Sequence, residues 1–264
     1  MENKRFKLSF VAAFILLISS VAVYAIGVIS RAQSKTNIIV YLLTLLMLCV
    51  LAYQSFREKE YPKAFEPKKN RYIADSSLLA GGGFIIDFIG SSIALYYLFD
   101  AKRVNPAETG LYIGSIAFSL LSTLYFAAIY LSYTGNAYDF RRLKILHFAP
   151  LLWAISKSGL LILNAVGFRN DAFSTIKGLL LIFAILFFFT FIVEIENEEG
   201  AKKSFVFFIG ALSYLCLLIL FIRYFDMRYN NAPLVGEDTF FTATSLCLFI
   251  FTHYLRINLL SPTR

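Results

Sequence analysis

Eight apolar runs, each long enough to cross a bilayer and separated by short charged connections, constrain this chain more than any other feature. A hydrocarbon core of roughly 30 Å needs about 20 apolar residues in helical form. A lone strand leaves its backbone unsatisfied in lipid, and closed barrels need alternating polarity over about 10-residue segments. These runs are continuous and about twice that length. They predict an all-α polytopic transmembrane helix bundle forming a single integral membrane domain over 1–264, with spans near 8–29, 37–54, 78–99, 110–132, 147–168, 176–194, 204–224 and 239–257. Composition agrees: 58% of residues are hydrophobic and 16% charged, where soluble domains average about 45–50% and about 25%. Tyr53, Tyr72, Tyr96, Tyr97, Tyr112, Tyr130 and Tyr133 fall near segment ends, where an amphipathic ring suits the headgroup zone.

The first run resembles a secretion signal, with basic residues before it and Val23-Tyr24-Ala25 as a cleavage-like triplet. It is longer than a signal core of about 7–15 residues, so it is read as the first membrane helix. Orientation follows from the basic residues. With the N-terminus inside, cytoplasmic segments hold 16 Lys and Arg, led by the 55–77 connection (Arg57, Lys59, Lys63, Lys68, Lys69, Arg71) and by Arg141, Arg142 and Lys144. The opposite side holds 8, including Arg31, Lys102, Arg169, Lys177 and Arg223. Both ends, Arg264 included, are therefore expected in the cytoplasm.

The net charge of +8 is read as basic connections held at an anionic leaflet rather than as a nucleic-acid surface; no nucleic-acid partner is expected. The 55–77 connection is expected to lie along the lipid bilayer surface and to be where a cytoplasmic protein partner docks. Cys49, Cys216 and Cys247 lie inside apolar runs without CxxC spacing, so no metal or cofactor is expected.

Chemistry concentrates at two charged side chains deep inside spans, Asp87 in the third and Lys157 in the fifth. Both spans run outward, and the two positions differ in depth by about 1.5 Å at the helical rise. Opposite charges at one depth in hydrocarbon are most simply partners. Gly83, Asp87, Gly90 and Ala94 share one helix face, where small residues admit a close neighbour. Trp153, Lys157 and Asn164 share a face of the fifth span, with Trp153 placed to stack on the lysine. The candidate intramembrane polar site is thus Asp87, Lys157, Trp153 and Asn164. Polar stripes follow on the fourth span (Ser115, Ser119, Ser122) and the eighth (Thr242, Ser245, Thr252). The sixth span, from Leu179 to Val193, has Thr190 as almost its sole polar side chain, and is expected at the lipid-facing periphery.

Enzyme signatures are sparse. No phosphate-cradling loop and no HExxH occur. Glu198-Glu199 followed by Lys203 resembles the EExxxR of the CAAX-protease and bacteriocin-immunity family, and Phe249 with His253 resembles its FxxxH. Lys203 stands where the family has arginine, the glutamates fall in a polar connection, and no second histidine follows His253. Ser158-Gly159 with His253 resembles an intramembrane serine protease. The stretch from His147 through Pro150, Trp153 and Ala154 to Lys157 is similar to a Pro-x-x-Trp-Ala-x-x-basic pattern of uncharacterised small multi-pass bacterial membrane proteins. That resemblance implies a bacterial cytoplasmic membrane and no particular activity. The expectation is small-solute transport, or the membrane subunit of a transporter. The alternative is a non-catalytic assembly, regulatory or scaffold protein, and an intramembrane protease is remote.

Overall fold

The computed structural model describes residues 2–57, 60–65, 70–101, 105–135, 139–164, 172–197, 199–230, 232–233 and 236–260. Their regular structure is helical throughout, in eight long helices: α1 (Glu2–Ile29), α2 (Gln33–Arg57), α3 (Arg71–Asp100), α4 (Pro106–Thr134), α5 (Ala149–Asn164), α6 (Ala172–Ile195), α7 (Lys203–Tyr229) and α8 (Glu237–Leu260). All eight are long and apolar enough to cross a membrane. The chain is a multi-pass membrane protein built as an all-α bundle.

The ends of these helices follow from local chemistry. The Asn70 side chain accepts from the amides of Tyr72 and Ile73 and starts α3 seven residues before the expected span. Asn105 caps α4 through the Ala107 amide, with Pro106 in the first turn, and Gly135 ends that helix in the left-handed region at φ 95°. α5 is the shortest crossing; two 3-10 turns, Phe140–Arg142 and Leu146–Phe148, lead into it. It ends at Asn164, and the expected continuation to 168 lies outside the described residues, as do Lys59, Lys68, Lys69, Lys102, Arg103, Arg169, Glu198 and Arg264.

Helices α3 to α8 form a closed ring in chain order, each packed on the next and α8 returning to α3. The α1–α2 hairpin lies outside the ring against α7. α7 is consequently the most enclosed helix, with 72% of its apolar window buried against 28% for α2. α3 and α8 approach closely because their contact uses glycine: a Cβ on Gly83 would stand 2.7 Å from that of Cys247, and one on Gly90 2.5 Å from that of Phe240. The Thr244 hydroxyl donates to the Gly83 carbonyl across this seam at 2.8 Å.

One expectation needs correction. α6 keeps a lipid-facing strip at Ile182, Leu186, Phe189 and Val193, but its opposite face is core: Leu181, Ala184, Phe187, Phe188 and Phe191 are all buried between α5 and α7. Lack of polar atoms does not make a helix peripheral when its partners are aromatic. Between α2 and α3 the described residues, 60–65, pack onto the bundle with Tyr61, Ala64 and Phe65 buried. Phe65 packs on Phe140, Phe191 and Phe205, Arg141 donates to its carbonyl at 2.9 Å, and the Ala201 amide donates to Pro62 at 3.1 Å. Glu60 and Lys63 remain exposed.

Candidate functional site

The interior of the ring divides into two halves. The half toward the end that the basic count assigns to the cytoplasm is aromatic. Phe84 stacks on Phe126, Phe126 meets Phe251 edge-on, Phe251 meets Phe191, and Phe191 meets Phe65. Each is buried, so solvent does not reach this half of the ring. Tyr125 and His147 complete it. The His147 Nε2 lies 3.2 Å from the Arg141 carbonyl, which can only accept, so this nitrogen carries hydrogen and Nδ1 accepts from the Tyr125 hydroxyl at 2.9 Å.

The other half is polar. Asp87 of α3 and Lys157 of α5 meet with 3.0 Å between Oδ1 and Nζ, each side chain 1% exposed. The second carboxylate oxygen accepts from Trp153 Nε1 at 2.8 Å and Ser119 at 2.9 Å, with Ser91 at 3.4 Å. Lys157 also donates to Ser91 at 2.9 Å and stands 3.6 Å from Glu237 Oε1. The other Glu237 oxygen accepts from the Tyr112 hydroxyl at 2.9 Å. Ser115 lies 3.3 Å from Ser91. Beside this set, Lys177 of α6 pairs with Asp238 at 2.8 Å and lies over the Phe241 ring. Arg223 of α7 donates to the Pro233 carbonyl and the Thr239 hydroxyl, and among the described residues it makes no carboxylate pair.

Four helices thus converge on one buried ion pair. Such a pair is costly to bury, and its geometry has to compensate. Here both carboxylate oxygens of Asp87 accept hydrogen bonds, Lys157 donates to Asp87 and Ser91, and Glu237 stands near enough to pair with it by charge. Exposure rises stepwise outward, from 1% at Asp87 and Lys157 to 24% at Glu237 and 44% at Asp238. Glu237 and Asp238 occupy the first turn of α8, where the helix dipole favours negative charge.

Of the residues singled out in sequence, Asp87, Lys157 and Trp153 come together. Trp153 takes part through its indole N–H, with its ring against Phe84 and Phe241, rather than by stacking on the lysine. Asn164 is exposed at the end of α5, about two turns beyond Lys157, and stays outside the network. Of the serine stripe, Ser115 and Ser119 join the site while Ser122 bonds its own helix at Phe118. Thr242 and Ser245 likewise turn back on α8, and Thr252 accepts from Ser213 of α7. Glu237, Asp238, Lys177 and Tyr112 were not anticipated. Two acids in the first turn of a helix opposite basic and phenolic groups at similar depth were the available signal.

Ser158 donates to the Ala154 carbonyl at 2.8 Å and His253 stacks on Phe249, so the protease-like pair does not meet. Among the described residues no group of three or more His, Cys, Asp and Glu side chains could hold a metal ion. Comparison with protein-family models, with curated proteins and with solved structures finds no match.

Proposed function

We propose that this chain carries a small solute across a bacterial cytoplasmic membrane, or serves there as the membrane subunit of a transporter, with the Asp87–Lys157–Glu237 network as its ligand-handling site. The observation that carries this reading is the asymmetry of the ring interior. Ionisable groups grade from exposed to buried at one end, and a buried aromatic core closes the other. A site that faces one side while the opposite path is packed shut is what alternating access requires of one of its states. Ionisable side chains inside a membrane are functional by default, and this network buries two of them, Asp87 and Lys157, inside one ring.

A second reading has its own support. With both oxygens of Asp87 hydrogen-bonded and Lys157 held by Asp87 and Ser91, the pair is equally suited to fixing helix register in a non-catalytic assembly, regulatory or scaffold protein. In that reading the 55–77 connection docks a cytoplasmic protein partner through the exposed Glu60 and Lys63 side. Rapid solution exchange over proteoliposomes on a solid-supported membrane separates the two. Amino acids, sugars, organic acids and inorganic ions are presented in turn. Transport predicts current or uptake with at least one class in the wild type and none in a folded Asp87→Asn/Lys157→Met double variant. Absence of both current and uptake of radiolabelled solute with every class, or unchanged current and uptake in the double variant, defeats the transport reading.

A further inference from the structure

The ammonium of Lys157 sits among oxygens. Asp87 Oδ1 lies at 3.0 Å and Ser91 Oγ at 2.9 Å. Ser91 is 3.3 Å from Ser115 and 3.4 Å from Asp87 Oδ2, which Ser119 approaches at 2.9 Å. We infer that these oxygens form a site for a small monovalent cation, for which the Lys157 ammonium is a tethered competitor. The inference rests on the proposal that the network handles ligands, and it names the class of ligand.

Three observations carry it. First, the donor set is hard oxygen only: one carboxylate and three hydroxyls from α3 and α4, all buried. Hard cations without d-electron preferences select such sets, at about 2.3–2.6 Å for one of calcium's size. Adjacent ligands of an octahedral shell at about 2.4 Å stand about 3.4 Å apart. The Ser91–Ser115 and Ser91–Asp87 separations of 3.3 and 3.4 Å already have that spacing.

Second, Lys157 has somewhere else to go. Glu237 Oε1 is 3.6 Å from its nitrogen, on the exposed side, and the four-carbon stem is flexible. A cation arriving at Asp87 displaces the ammonium toward Glu237, so neither carboxylate is left unpaired. No covalent bond changes and no proton is required. Third, charge permits it. The ion-paired set contains three carboxylates (Asp87, Glu237, Asp238) and two ammoniums (Lys157, Lys177). One monovalent cation neutralises the surplus, whereas a divalent ion would reverse it. Trp153, which donates to the carboxylate oxygen other than the one that faces Lys157, keeps Asp87 oriented in both arrangements.

The test is thermal unfolding of the purified full chain in detergent, with no solute present, at constant ionic strength. Sodium, potassium or ammonium chloride replaces choline chloride, whose cation is too large for the site. In Lys157→Met, freed of its competitor, the midpoint should rise by about 3 °C for each tenfold increase of the preferred cation above its Kd. The wild type should need at least about tenfold more cation for the same rise, and Lys157→Met with Ser115→Ala and Ser119→Ala should lose it. Preference for sodium or potassium would identify an alkali-ion site; preference for ammonium would identify one for a protonated amine. A folded Lys157→Met that responds identically to all four salts overturns the inference. Should that variant fail to fold, retention of radioactive sodium and rubidium by the wild type decides instead. Retention reduced by the two serine substitutions supports the site, and no retention above empty micelles overturns it. Cation binding without solute current or uptake would leave this inference standing and remove the transport proposal. Current or uptake without a cation-specific response would do the reverse.

Discussion

Asp87 and Lys157 depend on each other unequally, and the inequality is measurable. Removing one partner of a buried pair costs about 3–5 kcal/mol because the survivor remains charged and desolvated. In Lys157→Met the survivor is Asp87. It keeps hydrogen bonds from Trp153 and Ser119 but loses its cation, and among the described residues no other lysine or arginine pairs with it. The full cost of about 3–5 kcal/mol applies. In Asp87→Asn the survivor is Lys157, which has Glu237 at 3.6 Å. The amide oxygen of the new side chain serves Trp153 and Ser119, its NH2 repels the ammonium, and Lys157 moves onto Glu237. A hydrogen bond to a charged group is worth about 1.5–3 kcal/mol, so this variant should be milder by about that amount. The Asp87→Asn/Lys157→Met double variant should cost less than the sum of the singles by well over the roughly 0.5 kcal/mol tolerance of independent sites. Reversible unfolding in mixed micelles, followed by helical circular dichroism and by the fluorescence of Trp153, the single tryptophan, supplies all four corners of the cycle. An additive double variant, or an Asp87→Asn more damaging than Lys157→Met, would refute the reasoning.

Three further outcomes are expected in the same assay and by fusion. Gly90→Ala should destabilise by about 1–3 kcal/mol, since the new methyl meets Phe240 at 2.5 Å, while Gly82→Ala, with nothing within 4 Å, should be neutral or slightly stabilising. Leu181→Ala and Phe188→Ala should each cost about 2–5 kcal/mol through the cavities they open, and Ile182→Ala and Phe189→Ala, on the exposed strip of α6, should cost well under half of that. A reporter that is active only outside the cytoplasm should be silent after Arg264 and active when inserted between Asp100 and Asn105; the opposite pattern would invert the topology.

What could be read from sequence was what lipid enforces. Apolar length fixed the number of crossings, because no alternative backbone arrangement survives in hydrocarbon. The Asp87–Lys157 partnership was legible for the same reason: two charges at one depth have few other ways to be satisfied. Properties governed by neighbours rather than by the solvent were not legible. Leu181 and Phe188 carry no mark that distinguishes them from Ile182 and Phe189, since a lipid-facing and a core-facing apolar residue look alike in a membrane chain. Phe65 follows a polar, proline-bearing stretch that reads as surface, yet its ring is part of the core. Tyr112 sits where a belt tyrosine would, and only the arrival of Glu237 from α8 turns it inward. Asn164 shares the face of Lys157 by spacing, but it lies about two turns further along α5 and is exposed, so a shared face does not bring it to the same depth.

The placement of the acids on α8 links the fold to the site. Glu237 and Asp238 could have remained in solvent at the head of their helix, where the dipole already favours them. Instead Glu237 takes a hydrogen bond from α4 and an ammonium from α5, and Asp238 takes an ammonium from α6. These contacts join three helices to α8 at the end of the ring opposite the aromatic core. The lysines reach them from within the bundle, carrying flexible apolar stems that cost little to bury and charged heads that gain from proximity to water. Anchoring by long side chains allows the ring to loosen at this end without breaking any helix, whereas the packed rings of Phe84, Phe126, Phe251 and Phe191 resist shear at the other. Motion in this molecule should therefore begin at α8's first turn, where hydrogen exchange of Thr239 and Phe240 should exceed that of Leu248 and Phe251 on the same helix. Equal protection along α8 would mean that the polar end is as rigid as the aromatic one, and that the network braces the ring rather than opening it.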